Sequence, residues 1–99
     1  MKKIVLLCAS GMSTNMFVKK MKEAAKALEY ECTISAFSTA EAETEAADAD
    51  IILLGPQVRF SKSRVEAQCP GRPVEVIDMH AYGRMDGRTV MERAIKLLG

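Results

Sequence analysis

Two short segments of the chain are apolar at every position, Ile4 to Leu7 and Ile51 to Leu54, and small or turn-forming residues stop each of them. An uninterrupted apolar run of this length predicts a strand covered on both faces. Beyond the first run, Phe17, Met21, Ala24 and Leu28 recur at helical spacing, while Asn15, Lys19, Lys22, Glu23 and Lys26 take the other side, which predicts an amphipathic helix. Glu31 to Phe37 then alternates, with Cys32, Ile34 and Ala36 on one face and Thr33 and Ser35 on the other, as a half-exposed strand does. Ser38-Thr39-Ala40-Glu41 has the capping-box form and opens a short helix, rich in Ala and Glu, that ends near Asp48. After the second apolar run is halted by Gly55-Pro56-Gln57, Val58, Ser61 or Lys62, Val65 and Cys69 follow a helical spacing that Pro70-Gly71 closes. Arg72 to Asp78, with Val74, Val76 and Ile77 around Glu75, predicts a fourth strand less buried than the first and third. Met79 to Met85 reads as loop, and Asp86 or Gly87 leads into a last helix with Val90, Met91, Ala94, Ile95 and Leu98 on one side.

Four strands alternating with helices predict an α/β fold with a four-stranded parallel sheet, because each parallel pairing needs a crossover and the helices supply it. The two strands with two apolar faces belong in the centre, which gives the order 2-1-3-4 with right-handed crossovers and helices on both faces. In such sheets ligands bind outside the C-terminal strand edge where the order reverses, here between strands one and three. Cys8 and Gly55-Pro56-Gln57 fall at that place.

Composition narrows the picture. Ninety-nine residues suffice for one core, so residues 1–99 are expected to form a single domain. A formal net charge of +1 supplies no overall field to recruit nucleic acid or an anionic membrane. Cys8, Cys32 and Cys69 are odd in number and contain no Cys-x-x-Cys pair, which argues against a disulfide framework or a metal site and for a reducing, cytoplasmic setting. Lys2-Lys3 before an apolar run imitates a signal peptide, but the run is short and breaks into a polar loop. No apolar segment reaches the roughly 20 residues that a membrane-crossing helix needs.

The candidate chemistry lies in Cys8-Ala9-Ser10-Gly11-Met12-Ser13-Thr14, placed between a strand and a helix. A loop of Gly and small hydroxyl residues lets backbone N–H groups turn around a centre the size of a phosphate, and the helix start adds its positive end. The same field favours a thiolate, the form of cysteine that attacks phosphorus. Two plainer readings stand beside this one, since a cysteine at a strand end is often a small buried hydrophobe and a Gly-Ser turn before a helix is often only a cap. The crevice position favours the reactive reading.

The motifs Leu-Leu-Cys8-Ala-Ser-Gly-Met-Ser-Thr14, Leu-Leu-Gly55-Pro-Gln57 and Pro73-Val-Glu-Val-Ile-Asp78, with Tyr82-Gly83 soon after, together resemble the enzyme IIB component of the lactose and cellobiose (chitobiose) family of the bacterial sugar phosphotransferase system. The resemblance covers nearly the whole chain and implies a phosphoryl carrier without metal or organic cofactor. It implies that Cys8 takes a phosphoryl group from a phosphohistidine of enzyme IIA and passes it to a sugar, in the class of β-linked disaccharides, held by membrane enzyme IIC. The backbone of Ala9, Ser10, Gly11, Met12, Ser13 and Thr14 is then the P-loop-like phosphate cradle. Gly55, Pro56, Gln57, Arg59, Asp78 and Tyr82 are candidates for the rim of the crevice or for partner contacts, with Lys19 and Lys20 as further docking cations. A cytoplasmic protein, monomeric alone and peripherally associated with its transporter, is what the resemblance implies.

The loop is also similar to that of low-molecular-weight tyrosine phosphatases, in which five residues separate the cysteine from an arginine. Thr14 occupies the arginine position, so the bidentate clamp on the phosphoryl oxygens that favours hydrolysis is missing. A carrier needs a thiophosphate that survives, and the substitution suits a carrier better than a phosphatase. Asp78 is the nearest candidate for a general acid, and His80, the one histidine, reads as a surface loop residue. A redox-sensing or anion-binding module built on the same thiol is the remaining alternative.

Overall fold

The computed structural model describes every residue except Ser10, and for Gly11, Met12 and Ser13 the backbone alone. Strand β1 (Lys2–Cys8) leads into helix α1 (Gly11–Ala27) and strand β2 (Cys32–Ser38). A 3₁₀ turn (Thr39–Glu41) and helix α2 (Ala42–Glu45) return the chain to strand β3 (Ile51–Leu54). A second 3₁₀ segment (Pro56–Ser61) and α3 (Lys62–Gln68) precede β4 (Val74–Val76), followed by α4 (Met79–Gly83) and α5 (Gly87–Leu98). The strands form one parallel sheet in the order β2-β1-β3-β4.

The two all-apolar runs explain the centre of that sheet. Ile4 stands opposite Ile51 and Leu7 opposite Leu54, and the period of two sends alternate residues of both strands to opposite faces. Ile4, Leu6, Ile51 and Leu53 meet Phe17 and Met21 of α1 and Val90, Met91 and Ala94 of α5. Val5, Leu7, Ile52 and Leu54 meet Ala42 and Ala46 on α2, with Val58, Val65 and Cys69, on the other face. The core is therefore two layers, one on each side of β1 and β3, and every residue of Ile51–Leu54 is buried. β2 and β4 are only partly covered, as their mixed patterns require.

Four local expectations change. The helix expected from Val58 to Gln68 is divided: Pro56 starts a 3₁₀ segment, Val58 leaves helical geometry at φ −117° and ψ 24°, and regular helix resumes at Lys62. Proline presets the first turn but donates no N–H, and the residues after it are spaced for burying Val58 rather than for a continuous ladder. The loop expected from Met79 to Met85 holds the one-turn helix α4, which Asp78 caps by accepting the Ala81 N–H at 3.0 Å. The fourth strand shrinks from Arg72–Asp78 to Val74–Val76. The Ser38 capping box is present, with the backbone N–H and hydroxyl of Ser38 both donating to Glu41 Oε1 at 3.1 Å, but the helix it opens starts as 3₁₀ and ends at Glu45. No helix among the described residues is long and apolar enough to cross a membrane.

Candidate functional site

Cys8 is the last residue of β1, at the C-terminal edge of the sheet. From β1 the chain crosses to β2 on one side, while β3 lies on the other, so the order reverses at this edge. Leu7 carries the junction: its carbonyl accepts the Gly55 N–H at 2.9 Å, which ties the residue after β3 to the end of β1. A Cβ at Gly55 would lie 3.4 Å from Cys8 Cβ and 3.1 Å from Gln57 Oε1, so glycine allows the two chain segments to approach closely around the cysteine. Cys8 and Gly55 thus lie side by side at the edge where the strand order reverses, with Pro56 buried and Gln57 exposed.

Thr14, in the first turn of α1, closes the site from the helix side. It is fully buried, and its Oγ1 is hydrogen-bonded to Cys8 Sγ. The helix begins only three residues after Cys8, so Thr14 stands in the first turn, at the positive end of the helix. Ala9 is exposed. Ser10 and the side chains of Gly11, Met12 and Ser13, also named as cradle residues, lie outside the described residues.

The remaining candidates separate into distinct roles. Asp78 emerges from the same sheet edge, since Ile77 N–H still bonds Leu54 O at 2.9 Å, but one of its carboxylate oxygens is engaged as the α4 cap. Tyr82 is half-buried and stacks on Phe17, with ring centroids 4.8 Å apart and planes 23° apart, at the margin of the first core layer. Arg59 is exposed and folds one guanidinium nitrogen, Nη1, back onto Pro56 O at 2.9 Å. Lys19, Lys20 and His80 are exposed. Sequence reasoning assigned the loop backbone to the site and missed the side chain of Thr14. The available signal was a hydroxyl, six residues after the cysteine, on the helix that packs beside it.

The other two thiols differ in environment. Cys69 is buried and donates to Ala42 O at 3.4 Å, and its burial, with Glu43 nearby, pushes its pKa up despite Arg72. Burial likewise raises Cys32. Neither lies at the C-terminal edge between β1 and β3. Among the described residues no three His, Cys, Asp or Glu side chains gather as a metal site.

A parallel four-stranded sheet with a cysteine at its reversal point defines an α/β domain with a candidate site at the end of β1. Residues 3–93 match the family described as PTS system, Lactose/Cellobiose specific IIB subunit, and the chain belongs to that family. It is 46% identical over 100 residues to the PTS system oligo-beta-mannoside-specific EIIB component of Bacillus subtilis (strain 168), covering 99% of this chain and 97% of the relative. It is 42% identical over 104 residues to the PTS system galactose-specific EIIB component of Lactococcus lactis subsp. cremoris (strain MG1363), covering 98% of this chain and 96% of that protein. The solution structure of the cellobiose-specific phosphotransferase IIB component protein from Borrelia burgdorferi superposes with a TM-score of 0.78 at 36% identity, over 96% of this chain and 89% of that one. The chain is thus a phosphotransferase component that serves sugar transport, and such components work with IIA and IIC partners.

Proposed function

We propose that Cys8 is the phosphoryl carrier of this component. The thiolate attacks the phosphorus of a phosphohistidine on enzyme IIA, and the resulting phosphocysteine delivers the group to a sugar held by membrane enzyme IIC. The observation that carries this reading is the pairing of Cys8 Sγ with the buried hydroxyl of Thr14 at the sheet's reversal point, where a hydrolytic relative would hold a guanidinium. The N–H groups from Ala9 to Thr14, Ser10, Gly11, Met12 and Ser13 included, are the matching donors for three phosphoryl oxygens. With Thr14 in place of an arginine, attacking water lacks the bidentate clamp that favours hydrolysis, and one oxygen of Asp78 is committed to the α4 cap.

The donor and the transporter both have to reach Cys8 from the C-terminal sheet edge, so the rim of that edge is the docking surface. Gly55, Pro56, Gln57, Arg59 and Asp78 belong to segments that leave it, and Tyr82 braces the turn that follows β4. Relatives with closely similar chains bear different sugar names, oligo-beta-mannoside and galactose. A carrier need not enclose the sugar, and a β-linked disaccharide selected by the membrane component, on the cytoplasmic side, fits the family. The test is incubation with a histidine-phosphorylated enzyme IIA of the lactose/cellobiose class, followed by intact-mass measurement and peptide mapping. A gain of about 80 Da, one phosphoryl group, on Cys8 is expected. Cys8→Ser should fold and accept little or nothing, because an unassisted hydroxyl is a weak nucleophile at neutral pH. Rapid hydrolysis of an aryl phosphate by the unmodified chain would favour the phosphatase reading instead.

A further inference from the structure

Among the described residues Thr14 is the one polar side chain that is buried, and it faces the reacting sulfur. Valine would fill the same volume without a hydroxyl to satisfy, and burying an unneeded hydroxyl is unfavourable. Its bond to the Cys8 sulfur gives the hydroxyl a place in what happens at Cys8. A thiolate has no proton to give, so in the bond to Cys8 Sγ the Thr14 O–H must be the donor whenever the cysteine is ready to attack. Hydrogen bonds to an ionised group are the strong ones, and a buried donor also fixes their direction.

We propose that the Thr14 hydroxyl is a switching donor: it holds the Cys8 sulfur before transfer and turns to a phosphoryl oxygen afterwards. The second half of this role rests on the carrier reading. In the transfer the sulfur's electron pair forms the S–P bond as the P–N bond to the donor imidazole breaks. The bond pair stays on the imidazole nitrogen, which gains a proton in place of the one the thiol lost. Thr14 keeps its own proton throughout. Once bonded to phosphorus the sulfur is no longer an anion, and the three phosphoryl oxygens become the strongest acceptors at the site. A hydroxyl rotates freely about its C–O bond, so the donor can follow the charge without any movement of the backbone. This is a second reason for threonine at a position where a fixed guanidinium would hold the phosphoryl group as it is attacked by water.

The test compares Thr14→Val, Thr14→Ala and Thr14→Ser with the unmodified chain, each checked for a cooperative thermal transition. One measurement is the rate at which iodoacetamide modifies Cys8 at neutral pH, which needs no phosphoryl donor. The other is the lifetime of the phosphoprotein after loading from a histidine-phosphorylated enzyme IIA of the lactose/cellobiose class and removal of that donor, followed by mass. Thr14→Val and Thr14→Ala should lower both about tenfold, the value of one hydrogen bond to a charged group, while Thr14→Ser keeps both within about threefold. Should Thr14→Val fail to fold, the Ala and Ser pair decides alone. Equal values for Val and the unmodified chain, or a Ser variant no better than Ala, would overturn the proposal in favour of plain packing. If the unmodified chain accepts no phosphoryl group while the Val variant still slows alkylation, the carrier reading and the switch fail together and the hold on sulfur stands. If phosphoryl uptake is normal and neither measurement depends on the hydroxyl, the carrier reading stands and the role of Thr14 fails.

Discussion

Three cysteines occupy three chemical settings, and the differences come from single neighbours. The Cys69 thiol is buried and donates to the Ala42 carbonyl, with its pKa raised first by that burial, and Cys32 is raised by the burial of an otherwise half-exposed strand. Cys8 alone has a hydroxyl from the start of a helix against its sulfur. Brief treatment with iodoacetamide at neutral pH should therefore modify Cys8 before Cys32, and Cys69 only after unfolding, because a helix start and a hydroxyl stand at the Cys8 sulfur while burial disfavours the thiolate at the other two. Peptide mapping checks this, and equal reaction of all three would remove the anion-cradle argument. The position of Cys8 was legible because an apolar run, a cysteine and a Gly-Ser loop in that order describe a strand end whatever packs around it. The side chain of Thr14 was not, because its burial depends on how α1 rotates against β1, a tertiary fact that one turn of sequence does not carry.

At the level of elements, long periodic segments were read well and single turns were not. α1, α5 and the two central strands each repeat their pattern often enough to outweigh local exceptions, while α4 has one turn and owes its existence to a cap. The same limit applies to Val58, whose non-helical angles interrupt a spacing that looked continuous. The start of α5 shows what a correct element boundary is made of. Asp86 caps it, accepting from Thr89 N–H at 3.1 Å and from the Thr89 hydroxyl at 2.8 Å, and Arg84 lies 3.2 Å away. These bonds, the Thr89 amide first, hold the Asp86 carboxyl below its ordinary value of 3.8. A carboxyl depressed by folding contributes stability that is present above the unfolded value and lost as pH falls through the folded one. Melting curves of Asp86→Asn and the unmodified chain should accordingly differ most above pH ~4 and converge in more acidic solution. A gap independent of pH would assign the effect to geometry alone. Next to it, a Cβ on Gly87 would meet the backbone of α1 at Lys20, 2.5 Å from its carbonyl carbon and 2.6 Å from its oxygen. Gly87→Ala should therefore destabilise the chain by about 1–3 kcal/mol in urea unfolding despite the better helix propensity of alanine, because rigid backbone cannot give way as a side chain does.

At the scale of the whole molecule, charge and apolar surface are unevenly divided among the segments that follow the four strands. The segments leaving β1, β3 and β4 carry exposed Met16, Phe60 and Met79, together with Lys19, Lys20, Arg59, Lys62 and Arg64. The segment leaving β2 instead carries Glu41, Glu43 and Glu45. An 82% exposed phenylalanine contributes little to the core, so its cost in water is offset only when something covers it. On the carrier reading, Phe60 and the nearby Arg59 are the expected contacts for enzyme IIA, an apolar anchor beside a cation. Phe60→Ala should leave the melting temperature within error and slow phosphoryl uptake from phosphorylated IIA about fivefold or more at limiting donor, the effect of losing one aromatic anchor. Arg59→Ala should act differently, lowering the association rate at low ionic strength and converging on the unmodified chain as salt screens the attraction over about 10 Å near 0.1 M. Stopped reactions at several salt concentrations, read by mass, separate the two: a Phe60 effect persists with salt and an Arg59 effect fades. Uptake by Phe60→Ala indistinguishable from the unmodified chain at every donor concentration would move the docking surface away from the end of β3 and leave the reactive cysteine approached from the side of β4.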